Sequence, residues 1–110
     1  MKQYVIDELS NDDYEKIKKY FDDNFKDASI GGIYWIPLHD DVLDEIQKKH
    51  PDCRPFYFAV ELSPAKIACE LLIRTKSRMR CDCMKYASEF QRNWIMSFMD
   101  SVFERLEIIT

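Results

Sequence analysis

Apolar and polar residues alternate most clearly over Phe56–Leu62. Phe56, Phe58, Val60 and Leu62 fall on one side, and Tyr57, Ala59 and Glu61 on the other. Period-two alternation of this kind predicts a strand with one buried and one wet face. Ser63-Pro64-Ala65 supplies a turn, and Lys66–Thr75 returns as a second arm. In that arm Ile67, Cys69, Leu71 and Ile73 match the buried face, while Lys66, Ala68, Glu70 and Arg74 match the wet one. Residues 2–9 alternate more weakly and predict a first strand. Ile33-Tyr34-Trp35-Ile36 predicts a short strand between the break at Gly31-Gly32 and Pro37.

Three other stretches follow the helical period. Tyr14, Ile17, Tyr20, Phe21 and Phe25 share a face, so residues 11–27 predict a helix. Ser10 or Asn11 is placed to cap it, and the acids Asp12, Asp13 and Glu15 suit the positive end of its dipole. Asp40 and Asp41 are expected to open a second helix with Val42, Leu43 and Ile46 on its apolar face. It should stop by His50-Pro51, because the residue before proline is pushed out of the helical region. The third stripe, Met84, Ala87, Phe90, Trp94, Ile95, Phe98, Val102, Phe103 and Leu106, predicts the longest helix, from about residue 84 to 108, with Phe90 and Phe98 inside. The resulting fold class is α+β, in the order β-α-β-α-β-β-α. A mostly antiparallel four-stranded sheet with helices packed on one face buries these stripes most simply.

Composition fits that picture. With 110 residues, 46% hydrophobic and only 2 Gly, the chain is expected to be a single α+β domain over residues 1–110 with one core. No apolar run approaches the ~18 residues needed to cross a bilayer. The acids Asp7 and Glu8 stand where a secretory signal would be apolar, so a cytoplasmic location is expected and no membrane partner. The net charge of −4 is uneven, at −5 over residues 1–50 and +1 over residues 51–110. An acidic chain lacks the broad basic face that nonspecific nucleic-acid binding requires, which makes RNA an unlikely partner.

One local feature runs against the acidic balance. In an extended Arg74-Thr75-Lys76-Ser77-Arg78-Met79-Arg80, the side chains of Arg74, Lys76, Arg78 and Arg80 point the same way. Like charges at that spacing repel and call for a negative complement. That complement is either carboxylates of this chain or an external anion, such as a phosphorylated small molecule or an acidic protein. No glycine-rich phosphate loop precedes a helix, because Gly31-Gly32 lies between helix and strand, the reverse of the order such a loop needs.

The four cysteines are Cys53, Cys69, Cys81 and Cys83, and in a reducing compartment they are expected to be thiols. Cys69 falls on the apolar side of a strand and reads as core. His50-x-x-Cys53 with Cys81-x-Cys83 would supply the nitrogen and sulfur ligands that zinc prefers, making zinc the cofactor such a set would take. Arg78, Arg80 and Lys85 would also favour thiolate at Cys81 or Cys83. The cluster His39-Asp40-Asp41 is assigned to helix capping in preference to chemistry.

The chain carries no serine nucleophile elbow, HExxH or kinase signature, so the reading leans away from an enzyme. Two functions fit the residues. The first is a non-catalytic binding or adaptor domain that holds an anionic ligand or acidic partner through Arg74, Lys76, Arg78 and Arg80. The second is a small metal-binding or thiol-redox protein built on His50, Cys53, Cys81 and Cys83. A weaker third, RNA stacking on the sheet through Tyr57, is disfavoured by the charge.

Overall fold

The computed structural model describes residues 2–25, 32–75 and 84–109. Its elements are β1 (Gln3–Ile6), α1 (Asn11–Asn24), β2 (Ile33–Pro37), α2 (Glu45–Lys48), β3 (Phe56–Ser63), β4 (Lys66–Glu70), β5 (Arg74–Thr75) and α3 (Glu89–Arg105). Short 3-10 turns lie at Asp40–Val42 and Pro51–Cys53. All strand pairings are antiparallel, and the order across the sheet is β1-β4-β3-β2, with β5 also pairing to β3. The α+β class and the central β3–β4 hairpin are as the alternation predicts.

Strand alternation and helical stripes meet in one core. Phe56, Phe58, Val60, Ile67, Cys69 and Ile73 on the inner sheet face pack with Ile17 and Phe21 of α1 and Ile95, Met99, Val102 and Phe103 of α3. Both long helices therefore cover the same face. Aromatic rings join the layers: Phe21 meets Tyr34 at 5.1 Å between ring centroids, and Trp94 stacks on Phe58 at 6.0 Å. Gly32, with φ of +83°, carries the chain into β2 at a point where a Cβ would lie 2.9 Å from Leu62 O. Only glycine adopts that conformation cheaply and leaves room for the neighbouring carbonyl.

The second arm of the hairpin is not one continuous strand. Val60 opposes Cys69, but four residues back Phe56 opposes Thr75, six residues on. Two extra residues are thus accommodated between β4 and β5, as in an extended bulge. There the outer edge of the arm pairs with residues 85–87: Ile73 N donates to Lys85 O (3.0 Å) and Ala87 N to Leu71 O (2.8 Å). This pairing corrects the expected start of the last helix. Tyr86 makes an isolated antiparallel bridge with Leu72, Ser88 is extended, and α3 begins only after Ser88.

The same shift alters the helical register. Phe90, expected inside, sits in the first turn and is 65% exposed, whereas Phe98 packs against the core as expected. The second helix also differs from expectation. Asp40 and Asp41 lie in the 3-10 turn, where Asp40 accepts from Arg54 Nη1 (3.3 Å), and the helix cap is Asp44. Gln47 is buried and Ile46 is exposed, the reverse of their polarities. Asp44 binds the Gln47 backbone N–H (2.8 Å) while the Gln47 side chain accepts from Asp44 N (3.1 Å), and that reciprocal cap fixes which side of α2 faces in.

Candidate binding face

Because both long helices lie on one side, alternation leaves the other side of the sheet uncovered by any helix among the described residues. Register places Val5, Ala68, Glu61 and Ile33 in one row across it, and Trp35 beside Ala59 in the next. The methyl side chains of Ala59 and Ala68 form a low floor. Around them Gln3, Ile33, Glu61 and Glu70 raise the walls of a hollow of about 140 Å³. Trp35 and Tyr57 flank that floor edge to face, with ring centroids 6.1 Å apart and planes at 81°. Offset aromatic pairs of this geometry hold each other in place while keeping part of each ring available. Both side chains are half-buried.

Charge on this face is close to balanced. Lys66 and Glu61 are exposed, and the Arg74 guanidinium is ion-paired with Glu70 across the interruption between β4 and β5. At Arg74, therefore, the negative complement comes from this chain. Lys76, Arg78 and Arg80, the remaining cations of the strip, lie outside the described residues. They follow directly from Arg74, which opposes Tyr57 at one end of the aromatic pair.

The described half of the sulfur set is enclosed. Cys53 is 2% exposed and belongs to the core, while Nδ1 of His50 lies 2.7 Å from Ile46 O, its bond to α2. Cys81 and Cys83 lie outside the described residues, so a zinc centre built on all four would need them to reach a thiol that the core already surrounds. Among the described residues no three His, Cys, Asp or Glu side chains are grouped to hold a metal ion. Burial pushes the Cys69 thiol up to about 12, which leaves it a small apolar core residue, as expected.

Behind the face, a polar network anchors the segment that returns from the strip. Lys85 Nζ lies 2.7 Å from Asp44 Oδ2. Burial works against the Asp44 carboxylate, but the Lys85 ammonium and the backbone N–H groups of Gln47 and Ile46 outweigh it and hold its pKa below the usual value. Ser88 then caps α3 in a second reciprocal box with Gln91. Sequence reading passed over both boxes and assigned the cap of the second helix to Asp40 and Asp41. The spacings Asp44-x-x-Gln47 and Ser88-x-x-Gln91 were the available signal. It also missed Trp35 as a residue of the open face, although Pro37 two positions later marks β2 as an edge strand.

No family model, curated protein or solved structure matches this chain.

Proposed function

We propose that this chain is a non-catalytic binding domain that takes an acidic protein segment on the uncovered face of its sheet. The observation that carries this reading is the Trp35–Tyr57 pair beside the low floor of Ala59 and Ala68, on the face that the helices leave open. Scale argues for a macromolecular ligand. A small-molecule site usually encloses roughly 300–1,000 Å³, whereas this hollow is about 140 Å³ and open on the sheet. Aromatic side chains on a flat sheet give contact area with little loss of side-chain entropy. Lys76, Arg78 and Arg80 would add the charge attraction, since Arg74 is matched by Glu70.

Titration with a panel of acidic peptides, short RNA and phosphorylated metabolites tests the reading. Acidic peptides should bind, and binding should weaken as salt rises and the Debye length shrinks from about 10 Å at 0.1 M to about 3 Å at 1 M. Ala59→Glu, on the floor of the face, and the pair Arg78→Gln with Arg80→Gln should each remove binding while the urea midpoint stays near wild type. Binding that survives Ala59→Glu would place the ligand elsewhere and end the proposal.

A further inference from the structure

Backbone hydrogen bonds determine which edge of β2 is occupied. Leu62 N donates to Gly32 O (2.8 Å), and Leu38 N donates to Phe56 O (3.0 Å). Both bonds continue the register in which Ile33 opposes Glu61 and Pro37 opposes Tyr57. In an antiparallel ladder, bonded and non-bonded pairs alternate. The even-numbered residues from Gly32 to Leu38 therefore face β3, and the backbone N–H and C=O groups of Ile33 and Trp35 face away from it. β2 ends the sheet. Among the described residues these outward groups have no hydrogen-bond partner. Pro37, the next outward position, has no N–H to offer, so the open edge consists of two complete donor–acceptor residues closed by a proline.

We propose that this edge pairs antiparallel with the same edge of a second copy of the chain. Ile33 would stand opposite the partner's Trp35 and Trp35 opposite the partner's Ile33, about a two-fold axis at Tyr34. This proposal does not rest on the binding-face reading. Each of the two pairs exchanges both of its backbone bonds, and the isologous arrangement satisfies the outward groups of Ile33 and Trp35 at once. On the outer sheet face the same register sets an aromatic ring against a β-branched side chain, a favourable cross-strand pair. Charge selects a second copy as occupant. Ile33–Pro37 carries no Asp, Glu, Lys, Arg or His, so like-with-like pairing brings no charges together at neutral pH. Exposed edge strands are normally protected by charges, and an apolar, uncharged one is open to self-association. The opposite edge strand, β1, is flanked by Lys2 and Asp7.

Sedimentation equilibrium over a micromolar to millimolar series tests this. The wild-type chain should show a monomer–dimer equilibrium. Ile33→Lys with Trp35→Lys puts like charges opposite each other across the axis, and self-association should weaken at least about tenfold. Ile33→Glu with Trp35→Lys puts opposite charges there and should restore it. Gln3→Lys with Val5→Lys, on the β1 edge, should leave it unchanged. Far-UV circular dichroism and urea midpoints establish that each variant is folded. Amide exchange on the wild-type protein avoids mutation altogether, because the Ile33 and Trp35 amides should gain protection as protein concentration rises. A wild-type chain that stays monomeric throughout, amide protection independent of concentration, or loss of the dimer through the β1 variant would each overturn the proposal.

Discussion

Gln91 donates from Nε2 to Oε1 of Gln47 across 2.8 Å, forty-four positions apart in sequence, and so ties the start of α3 to α2. The same Nε2 donates to Val42 O (2.9 Å), and both glutamines are almost fully buried. Each also closes its own helix cap. The two capping boxes are therefore one buried polar network, with Lys85 and Asp44 at its rim.

Removing one member of such a network leaves buried groups without partners. Gln91→Ala orphans Val42 O and Ser88 N and should cost about 1–3 kcal/mol in urea unfolding. A double-mutant cycle with Gln47→Ala should show coupling of about 0.5–3 kcal/mol. Strict additivity would mean that the two boxes act separately.

The aromatic residues separate by position. Phe58→Ala empties a fully buried site beneath Trp94 and should cost about 3–5 kcal/mol. Phe90→Ala, on an exposed ring, should change stability by no more than about 0.5 kcal/mol. Comparable losses at the two positions would contradict the start of α3 at Glu89.

Acid should weaken the fold through two carboxylates, Asp44 more than the largely exposed Asp22. The Asp22 pKa is held low by hydrogen bonds from Lys18 and Tyr34, and the Asp44 pKa by Lys85 and backbone N–H groups that overcome burial. Both folded-state values lie below the unfolded one. Their stabilisation is therefore present at neutral pH and is lost as pH falls below about 4 and through the folded values. Urea midpoints from pH 7 to pH 3 should fall on the acid side. Asp44→Asn should lower the neutral midpoint and flatten that fall.

Gly32→Ala should be costly for its size. The left-handed φ and the 2.9 Å approach to Leu62 O both oppose a methyl group there. A loss of about 1–3 kcal/mol is expected from thermal or urea unfolding, the range for a residue forced into a sparsely populated backbone conformation.

The alternation of Phe56–Leu62 and of Ile67–Ile73 was legible in sequence because each buried face is apolar without exception. So was the stripe of α1, where Ile17 and Phe21 are fully buried. Phe90 was misplaced because it continues the row of Trp94 and Phe98, yet the buried side of α3 runs through Gln91, Ile95, Met99 and Val102, and Phe90 is turned about 100° from Gln91. Gln47 and Gln91 were overlooked because a polar residue earns burial only through specific partners, and partners forty-four residues apart leave no local pattern. Arg74 was read from sequence as one of four cations that would hold an external anion or meet carboxylates of this chain. That Glu70, on the same face of the same arm, supplies the carboxylate depends on the bend between β4 and β5.

That bend has a consequence for how the chain tolerates change. The two additional residues are an even number, so Ile73 and Thr75 still face inward beyond them, as Ile67 and Cys69 do before them. The arm thus has a reading frame of two. Deleting Leu72 alone would shift that frame, turning Arg74 toward the core and Ile73 toward solvent, and no local repair could follow. Losing two neighbouring residues there would preserve the frame and merely straighten the arm. Insertions and deletions in this segment should therefore be accepted in pairs and rejected singly.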